Sequence, residues 1–160
     1  MLDQEIISIM HFVLTHSNNP KPYYNKVPQD FVVPAVFFPQ PELSSRGDTL
    51  REYALEFSWF IKFFHDTDEN AYALGFDVIT EIMRKRNVVP LLDENGKLAG
   101  RGFRLKDPSL RVIADGAAQL FLSWDSRRPY YAPQAIKMMV YHTNFYIKSA
   151  FELAVNQVGG

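Results

Sequence analysis

The sequence contains no cysteine. Disulfide bonds, thiolate metal sites and a cysteine nucleophile are therefore excluded. It also has no uninterrupted apolar run close to the roughly 18 residues that mark a transmembrane helix. Its first residues include Asp3 and Glu5 instead of the basic start of a signal peptide. We therefore expect no membrane span and no signal peptide, and a protein that works in the cytoplasm or in a particle assembled there.

An excess of charge of one sign is missing as well. The 17 Lys and Arg residues nearly balance the 18 Asp and Glu residues, and the formal net charge is -1. This balance argues against a nucleic-acid binder that works by neutralising phosphates. Aromatic residues are plentiful, with 13 Phe, 8 Tyr and 2 Trp. Such side chains fill protein cores and are enriched at protein–protein contacts.

Two segments have the apolar spacing of amphipathic helices. The first follows Asp3, which we expect to be its N-cap. The second follows Asp66, Thr67 and Asp68, any of which could be its N-cap, and it ends in a basic turn that complements the helix dipole. The apolar stripe of the first helix is Ile6, Ile9, Met10, Val13 and Leu14, and that of the second is Ala71, Leu74, Gly75, Val78 and Ile82.

Strict alternation of apolar and polar residues predicts strands. The stretch EYALEFSWFIKFF, Glu52–Phe64, places apolar residues on one side of the pleat, and residues 110–125 read as a further strand pair. Residues 31–39 are rich in β-branched and aromatic residues, and Pro34 within them points to an edge strand or a bulge. Residues 40–48 are polar and predict a loop.

An Asn95-Gly96 pair predicts a hairpin turn, because type I′ turns need positive φ at both central residues. The order of helices and strands predicts an α+β fold, with a mostly antiparallel sheet covered on one face by helices. A length of 160 residues suits a single domain with its own core. Residues 132–160 would form a helical or extended tail of that domain.

The strongest catalytic candidate is the segment His65–Asn70, because His65, Asp66 and Asp68 could ligate a metal of the phosphohydrolase type. The other interpretation is a polar connection whose carboxylates cap the second helix. The glycines of residues 93–102 match neither a phosphate-binding loop nor a dinucleotide fingerprint. We predict no catalytic residue, no metal and no cofactor.

The segment SWDSRRPYY, Ser123–Tyr131, combines Trp, Arg and Tyr, which dominate binding hot spots. It predicts a contact surface, and the alternative is a surface loop in which Arg and Asp pair. The hairpin around Asn95 could project towards a neighbouring subunit. The predicted subunit or partner interface comprises Asn95, Lys97, Arg101, Arg104, Trp124, Arg127, Arg128, Tyr130 and Tyr131.

The chain resembles a known protein family in three segments that follow one another in the same order. PAVFFP (Pro34–Pro39) precedes the long alternating strand, and the block from Asn70 to Tyr130 follows it. In order and character the chain is similar to the tail-terminator, or tail-completion, proteins of long-tailed phages of Gram-positive bacteria and their prophage relatives. The resemblance spans roughly residues 22–131 and contains no short diagnostic motif.

The resemblance implies a small α+β subunit that closes into a ring, typically a hexamer. Such a ring caps the tail tube, stops its polymerisation and offers the surface to which the head joins. The implied partners are other copies of the chain, the major tail tube protein and the head–tail connector or neck protein. No cofactor, catalysis, membrane or sequence-specific nucleic acid is implied. The expected location is the head-proximal end of the virion tail, after assembly in the host cytoplasm.

Two other functions stay open from the sequence. The first is a head–tail joining or neck protein of the same particle. The second is a metal-dependent phosphohydrolase that uses His65, Asp66 and Asp68.

Overall fold

A computed structural model describes residues 3–131 of the chain. Residues 3–128 belong to one compact unit, and a second unit begins at Pro129. The prediction for residues 132–160 lies outside the described residues, and the single domain stays a prediction. The described elements are α1 (Gln4–His16), β1 (Lys21–Tyr24), β2 (Ala35–Phe38), β3 (Glu42–Gly47), β4 (Glu52–Phe64), α2 (Asp68–Arg84), β5 (Val88–Leu92), β6 (Leu98–Ala114) and β7 (Ala117–Pro129).

Within residues 3–131, seven strands form one sheet in the order β1-β2-β4-β7-β6-β5, with β3 paired to β4. β1 and β2 run parallel, whereas β2 and β3 are antiparallel to β4. The hairpins β5–β6 and β6–β7 are antiparallel. The described part therefore consists mostly of one sheet, which has both parallel and antiparallel strand pairs, together with two helices. This agrees with the predicted α+β class.

Both helices begin at predicted caps. Asp3 Oδ1 accepts a hydrogen bond from the Glu5 amide at 3.0 Å, and Thr67 Oγ1 accepts one from the Asn70 amide at 3.2 Å. These bonds satisfy amides that have no partner inside the helix. The predicted stripe of α2 is confirmed, since all five of its residues are buried.

The core lies between the two helices and one face of the sheet. Four apolar residues of β4 and the alternating apolar residues of β7 are buried there, as predicted. Trp59 also satisfies its indole N–H, which donates to the Pro39 carbonyl at 2.6 Å. The buried residues of these two strands that join the core cluster are Phe57, Trp59, Ile61, Phe63, Leu120, Leu122 and Trp124.

The structure corrects two predictions for residues 31–48. β2 covers only Ala35–Phe38 and lies between β1 and β4, so it is not an edge strand. Pro34 precedes the strand, and its carbonyl accepts from the Lys21 amide at 3.0 Å, so its missing N–H interrupts no ladder. Residues predicted as a loop form β3, whose six residues are all exposed.

Candidate partner-binding surface

Charged side chains from three strands and the β3–β4 loop meet on the sheet face that the helices leave uncovered. Arg46 of β3 is the centre of this cluster and contacts Glu56 of β4. Its Nη1 lies 3.3 Å from Asp48 Oδ1, and its Nη2 lies 3.2 Å from Asp125 Oδ2 on β7. The hydrogen bond to Glu56, followed by the charges of the three carboxylates, raises the pKa of Arg46. One guanidinium therefore joins β3, β4 and β7.

Two further cations extend this cluster across the sheet. Lys106 Nζ of β6 contacts Asp125 Oδ1, and Arg127 Nε lies 2.7 Å from Asp48 Oδ2. Partial burial alone would raise the pKa of Asp125, but the hydrogen bonds and charges of Lys106 and Arg46 outweigh it and hold the pKa below its usual value. We call Arg46, Asp48, Glu56, Lys106, Asp125 and Arg127 the charge cluster. Its three cations and three carboxylates balance.

A cleft lies beside the charge cluster, where β6 leaves β7. β6 pairs with β7 from Ala114 back to Leu105, and between Arg104 and Leu98 it pairs with β5. The first residues of α1 lie at this divergence. The resulting cleft has a volume of about 440 Å³, and its lining includes Arg101, Arg127 and Arg128.

Three predicted interface residues thus share one surface. Arg101 is exposed, Arg127 is paired with Asp48, and Arg128 contacts the cap residue Asp3. The Arg–Asp pairing that the sequence left as an alternative is therefore present for both arginines of β7. Arg127 keeps 63% of its side chain exposed, so its pairing leaves it accessible to a partner.

Trp124 is a correction to the predicted interface. Its side chain is 0% exposed, and its ring stacks on Phe57 with a centroid distance of 4.9 Å. Its Nε1 donates to Glu5 Oε2 at 2.9 Å, which satisfies the only polar group of the indole. Trp124 therefore offers no surface to a partner and belongs to the core.

The other predicted interface residues are not among those that line the cleft. Asn95 and Lys97 are exposed in the β5–β6 turn, where Asp93 Oδ1 accepts from their amides at 2.8 and 2.9 Å. Arg104 is exposed on β6, opposite Val88. Tyr130 and Tyr131 are exposed and belong to the second compact unit. For all of these, a role in partner binding stays a prediction.

The candidate metal ligands form a structural junction instead. His65 contacts Asp66, whose pKa is lowered by hydrogen bonds from Asn70 and His65. Asp68 accepts a hydrogen bond from the amide of Gly116 in the β6–β7 turn, and the Gly116 carbonyl accepts from the His65 amide at 2.9 Å. These bonds fix the start of α2 to the turn. Among residues 3–131, no three His, Asp or Glu side chains form a group that could hold a metal.

Within the described part of the chain, neither helix is long and apolar enough to cross a membrane.

Comparison with known proteins identifies relatives. No family model matches the chain. The chain is 30% identical over 129 residues to the uncharacterized protein YqbJ of Bacillus subtilis (strain 168), with 81% of this chain and 88% of YqbJ aligned. It is 29% identical over 130 residues to the phage-like element PBSX protein XkdJ of the same strain, with the same coverage of 81% and 88%.

Among solved structures, a chain from the virion of a native gene transfer agent particle matches with a TM-score of 0.46 and 13% identity, over 74% of this chain and 84% of that one. A similarity at this level assigns no function to the chain. The 30% identity to YqbJ extends over most of both proteins, which is enough to establish a family relationship. The chain therefore belongs to the protein family that includes YqbJ and XkdJ.

Proposed function

We propose that this chain is a tail-terminator subunit of a phage or prophage particle. Several copies, six in the typical case, close into a ring at the head-proximal end of the tail tube. The ring stops tube polymerisation and presents the surface to which the head joins. The observation that supports this proposal most is the family relationship to XkdJ, a protein of the phage-like element PBSX. The order of sequence segments that resembles tail terminators is the second support.

The sheet offers an edge that a neighbouring subunit could use. Among the described residues, β3 pairs with β4 alone, and all six of its residues are exposed. An edge strand presents unpaired N–H and C=O groups, which another chain can bind. Closure of a ring would satisfy such groups on every subunit.

The cleft between β6 and β7 supports a second contact surface. A head-to-tail ring needs two different patches on each subunit. The side chains of Arg101 and Arg127 are exposed, and both residues line the cleft. An arginine side chain can bind a carboxylate through two parallel hydrogen bonds. We propose that this cleft receives acidic side chains of a neighbouring subunit, the tail tube protein or the connector protein. The role is structural and needs no cofactor and no catalysis.

Imaging of particles that lack this protein tests the proposal. The gene would be deleted from the phage or prophage that encodes it, and the particles would be examined by negative-stain electron microscopy. We expect overlong tails without heads, and tails of normal length after expression of the wild-type chain in trans. Headless tails of normal length would instead indicate the neck-protein function. Complete particles would overturn both.

A second experiment tests the ring directly. Purified chain would be mixed with the major tail tube protein of the same particle, and its binding to tube ends would be imaged. A cap on the tube and an arrest of tube growth are expected. Tube growth that continues unchanged with the chain in excess would contradict the proposal.

A further inference from the structure

α2 carries a second apolar stripe that the monomer leaves partly exposed. Tyr72, Phe76, Ile79 and Met83 follow one another at intervals of four, three and four residues. At 3.6 residues per turn, these four positions lie within an arc of about 60°. The buried stripe of α2 occupies a different side of the helix. An interval pattern of three and four residues is the pattern of a helix–helix seam.

Three of the four residues of this stripe are exposed. Tyr72, Phe76 and Met83 are 40%, 52% and 59% exposed, and Ile79 is partly buried against the core. The rings of Tyr72 and Phe76 stack with a centroid distance of 6.2 Å, so they present one continuous surface. Single exposed apolar residues need no explanation, but a contiguous row of them along one helix marks a contact site.

The charges at the two ends of α2 indicate what covers the stripe. The first turn is acidic, with Asp68 and Glu69, whereas Arg84 ends the helix and the basic residues Lys85 and Arg86 follow it in the capping turn. Asp68 already binds Gly116, and Arg84 is paired with Glu81. Within residues 3–131, neither Glu69 nor Arg86 takes part in an ion pair, and both are exposed. A partner helix therefore has to be basic near Glu69, apolar in its middle and acidic near Arg86.

An antiparallel copy of α2 meets all of these requirements. In the register centred between Phe76 and Ile79, Phe76 of one copy lies opposite Ile79 of the other, and Tyr72 lies opposite Met83. The same arrangement brings the acidic first turn of one copy, with Glu69, beside the basic C-terminal end of the other, where Arg86 follows the C-cap Lys85. Because the arrangement is two-fold symmetric, each favourable contact occurs twice.

We propose that α2 mediates two-fold, antiparallel pairing of two copies of this chain through Tyr72, Phe76, Ile79 and Met83. The contact is formed by one helix from each copy, so it is small and the dimer is weak and reversible. An isologous contact pairs two copies and cannot close a ring by itself. The inference therefore does not depend on the proposed function, and a ring would use other surfaces of the subunit.

Sedimentation velocity of the full chain over a range of concentrations tests the pairing. The wild-type chain is expected to shift from monomer to dimer, and Phe76→Ser or Met83→Ser is expected to raise the dissociation constant about tenfold or more. Asp77→Ser is the matched control, since Asp77 is exposed on α2 outside the stripe. Circular dichroism verifies that each variant is folded. A chain that stays monomeric at every concentration overturns the inference and assigns the stripe to a different protein. A ring or dimer that the two stripe variants leave unchanged overturns it as well, without affecting the ring proposal.

Charge reversal tests the register. Glu69→Lys and Arg86→Glu should each weaken the dimer, because each creates two like-charge contacts across the two-fold axis. The double variant should restore the wild-type dissociation constant, since the two charges are only exchanged. If the double variant instead loses as much dimerisation free energy as the two single variants lose together, the antiparallel register is contradicted.

The absence of cysteine from the sequence allows a direct test of direction. Tyr72→Cys and Met83→Cys chains would be mixed and oxidised. The two positions lie about 16 Å apart along one helix, and a disulfide needs Cα atoms within about 7 Å of each other. An antiparallel pair therefore gives the mixed disulfide between the two variants. Disulfides formed mainly between identical variants would overturn the proposal.

Discussion

Arg128, at the end of the last described strand, contacts Asp3, the residue that caps the first helix. The two residues are 125 positions apart in the sequence. Asp3 serves both contacts at once, because its Oδ1 accepts from the Glu5 amide and its Oδ2 faces Arg128. The contact thus joins the start of α1 to the end of β7, and both residues line the cleft between β6 and β7.

Replacement of Asp3 by Ala should lower the free energy of unfolding by about 1 kcal/mol or slightly more, because the helix loses its cap and Arg128 loses its partner. Arg128→Ala should cost less, about 0.5 to 1 kcal/mol. Urea denaturation of the two single variants and the double variant measures the coupling between them. Strictly additive losses would show that the contact contributes nothing to stability.

Replacement of Trp59 by Ala should unfold the protein or bring it close to unfolding. Trp59 is fully buried, and the loss of a large buried aromatic side chain costs about 3 to 5 kcal/mol, which is a large part of the stability of an ordinary domain. Trp59→Phe keeps most of the apolar volume and should be much milder. Thermal denaturation followed by circular dichroism distinguishes the two. Equal melting temperatures for both variants would contradict the assigned core position.

A comparison of Gly116 with Gly96 tests the contact between the β6–β7 turn and the start of α2. Both have positive φ, +69° and +76°, so an added Cβ is strained at either position. At Gly116 the added Cβ would also lie 2.5 Å from the His65 carbonyl oxygen, whereas nothing lies within 4 Å at Gly96. Gly116→Ala should therefore lower the urea midpoint clearly more than Gly96→Ala. Equal effects would show that the close contact with His65 is absent in solution.

The charge cluster should make stability depend on pH through Asp125. Its pKa in the folded protein lies below the usual value of about 3.8, so the stabilisation is present above that value and is lost as the pH falls through the folded pKa. Asp125→Asn should therefore be less stable than the wild type between roughly pH 5 and 7, and the difference should shrink below about pH 4.

Asp115→Asn is the control for this experiment, since Asp115 is exposed in the β6–β7 turn and has no ion pair within the described part of the chain. Unfolding midpoints measured in urea at each pH provide the comparison. A difference between wild type and Asp125→Asn that is constant from neutral to acid pH would refute the assignment.

Arg101→Ala should separate assembly from folding, if the proposed ring exists. Arg101 is exposed in the cleft and takes part in no ion pair among residues 3–131. We expect an unfolding midpoint within about 0.5 kcal/mol of the wild type and weaker capping of tail tubes. Lys21→Ala, a change of an exposed cation on β1, is the control. Loss of stability without loss of capping would remove Arg101 from the interface.

The parts of the fold that the sequence predicted are those in which one side of an element is buried. Because one side is buried, apolar residues recur with a period of two along β4 and a period of about 3.6 along α2. Both elements were found at the predicted residues. β3 was missed because all of its residues are exposed, so no apolar alternation marks it. Its strand conformation comes from pairing with β4, which a local pattern does not contain.

The candidate site was predicted less completely for a related reason. Residue type suggested Trp124 as a contact residue, but only the fold decides whether a tryptophan is buried or exposed. The centre of the charge cluster, Arg46, was not predicted, because its partner Asp125 lies 79 residues away in the sequence. Pairs at that separation come together through the order of strands in the sheet, which no spacing rule along the chain reveals.

The polar sequence of β3 has a consequence for the free protein. An open β-edge made of apolar residues would let subunits join edge to edge into ribbons before any particle is present. β3 instead has one large apolar residue, Leu43, among Glu42, two serines and Arg46, and Arg46 is already held by three carboxylates. Charge on an exposed edge discourages indiscriminate strand addition. Under the proposed function, this edge would stay unpaired on the free subunit and would pair only with a neighbour of matching chemistry.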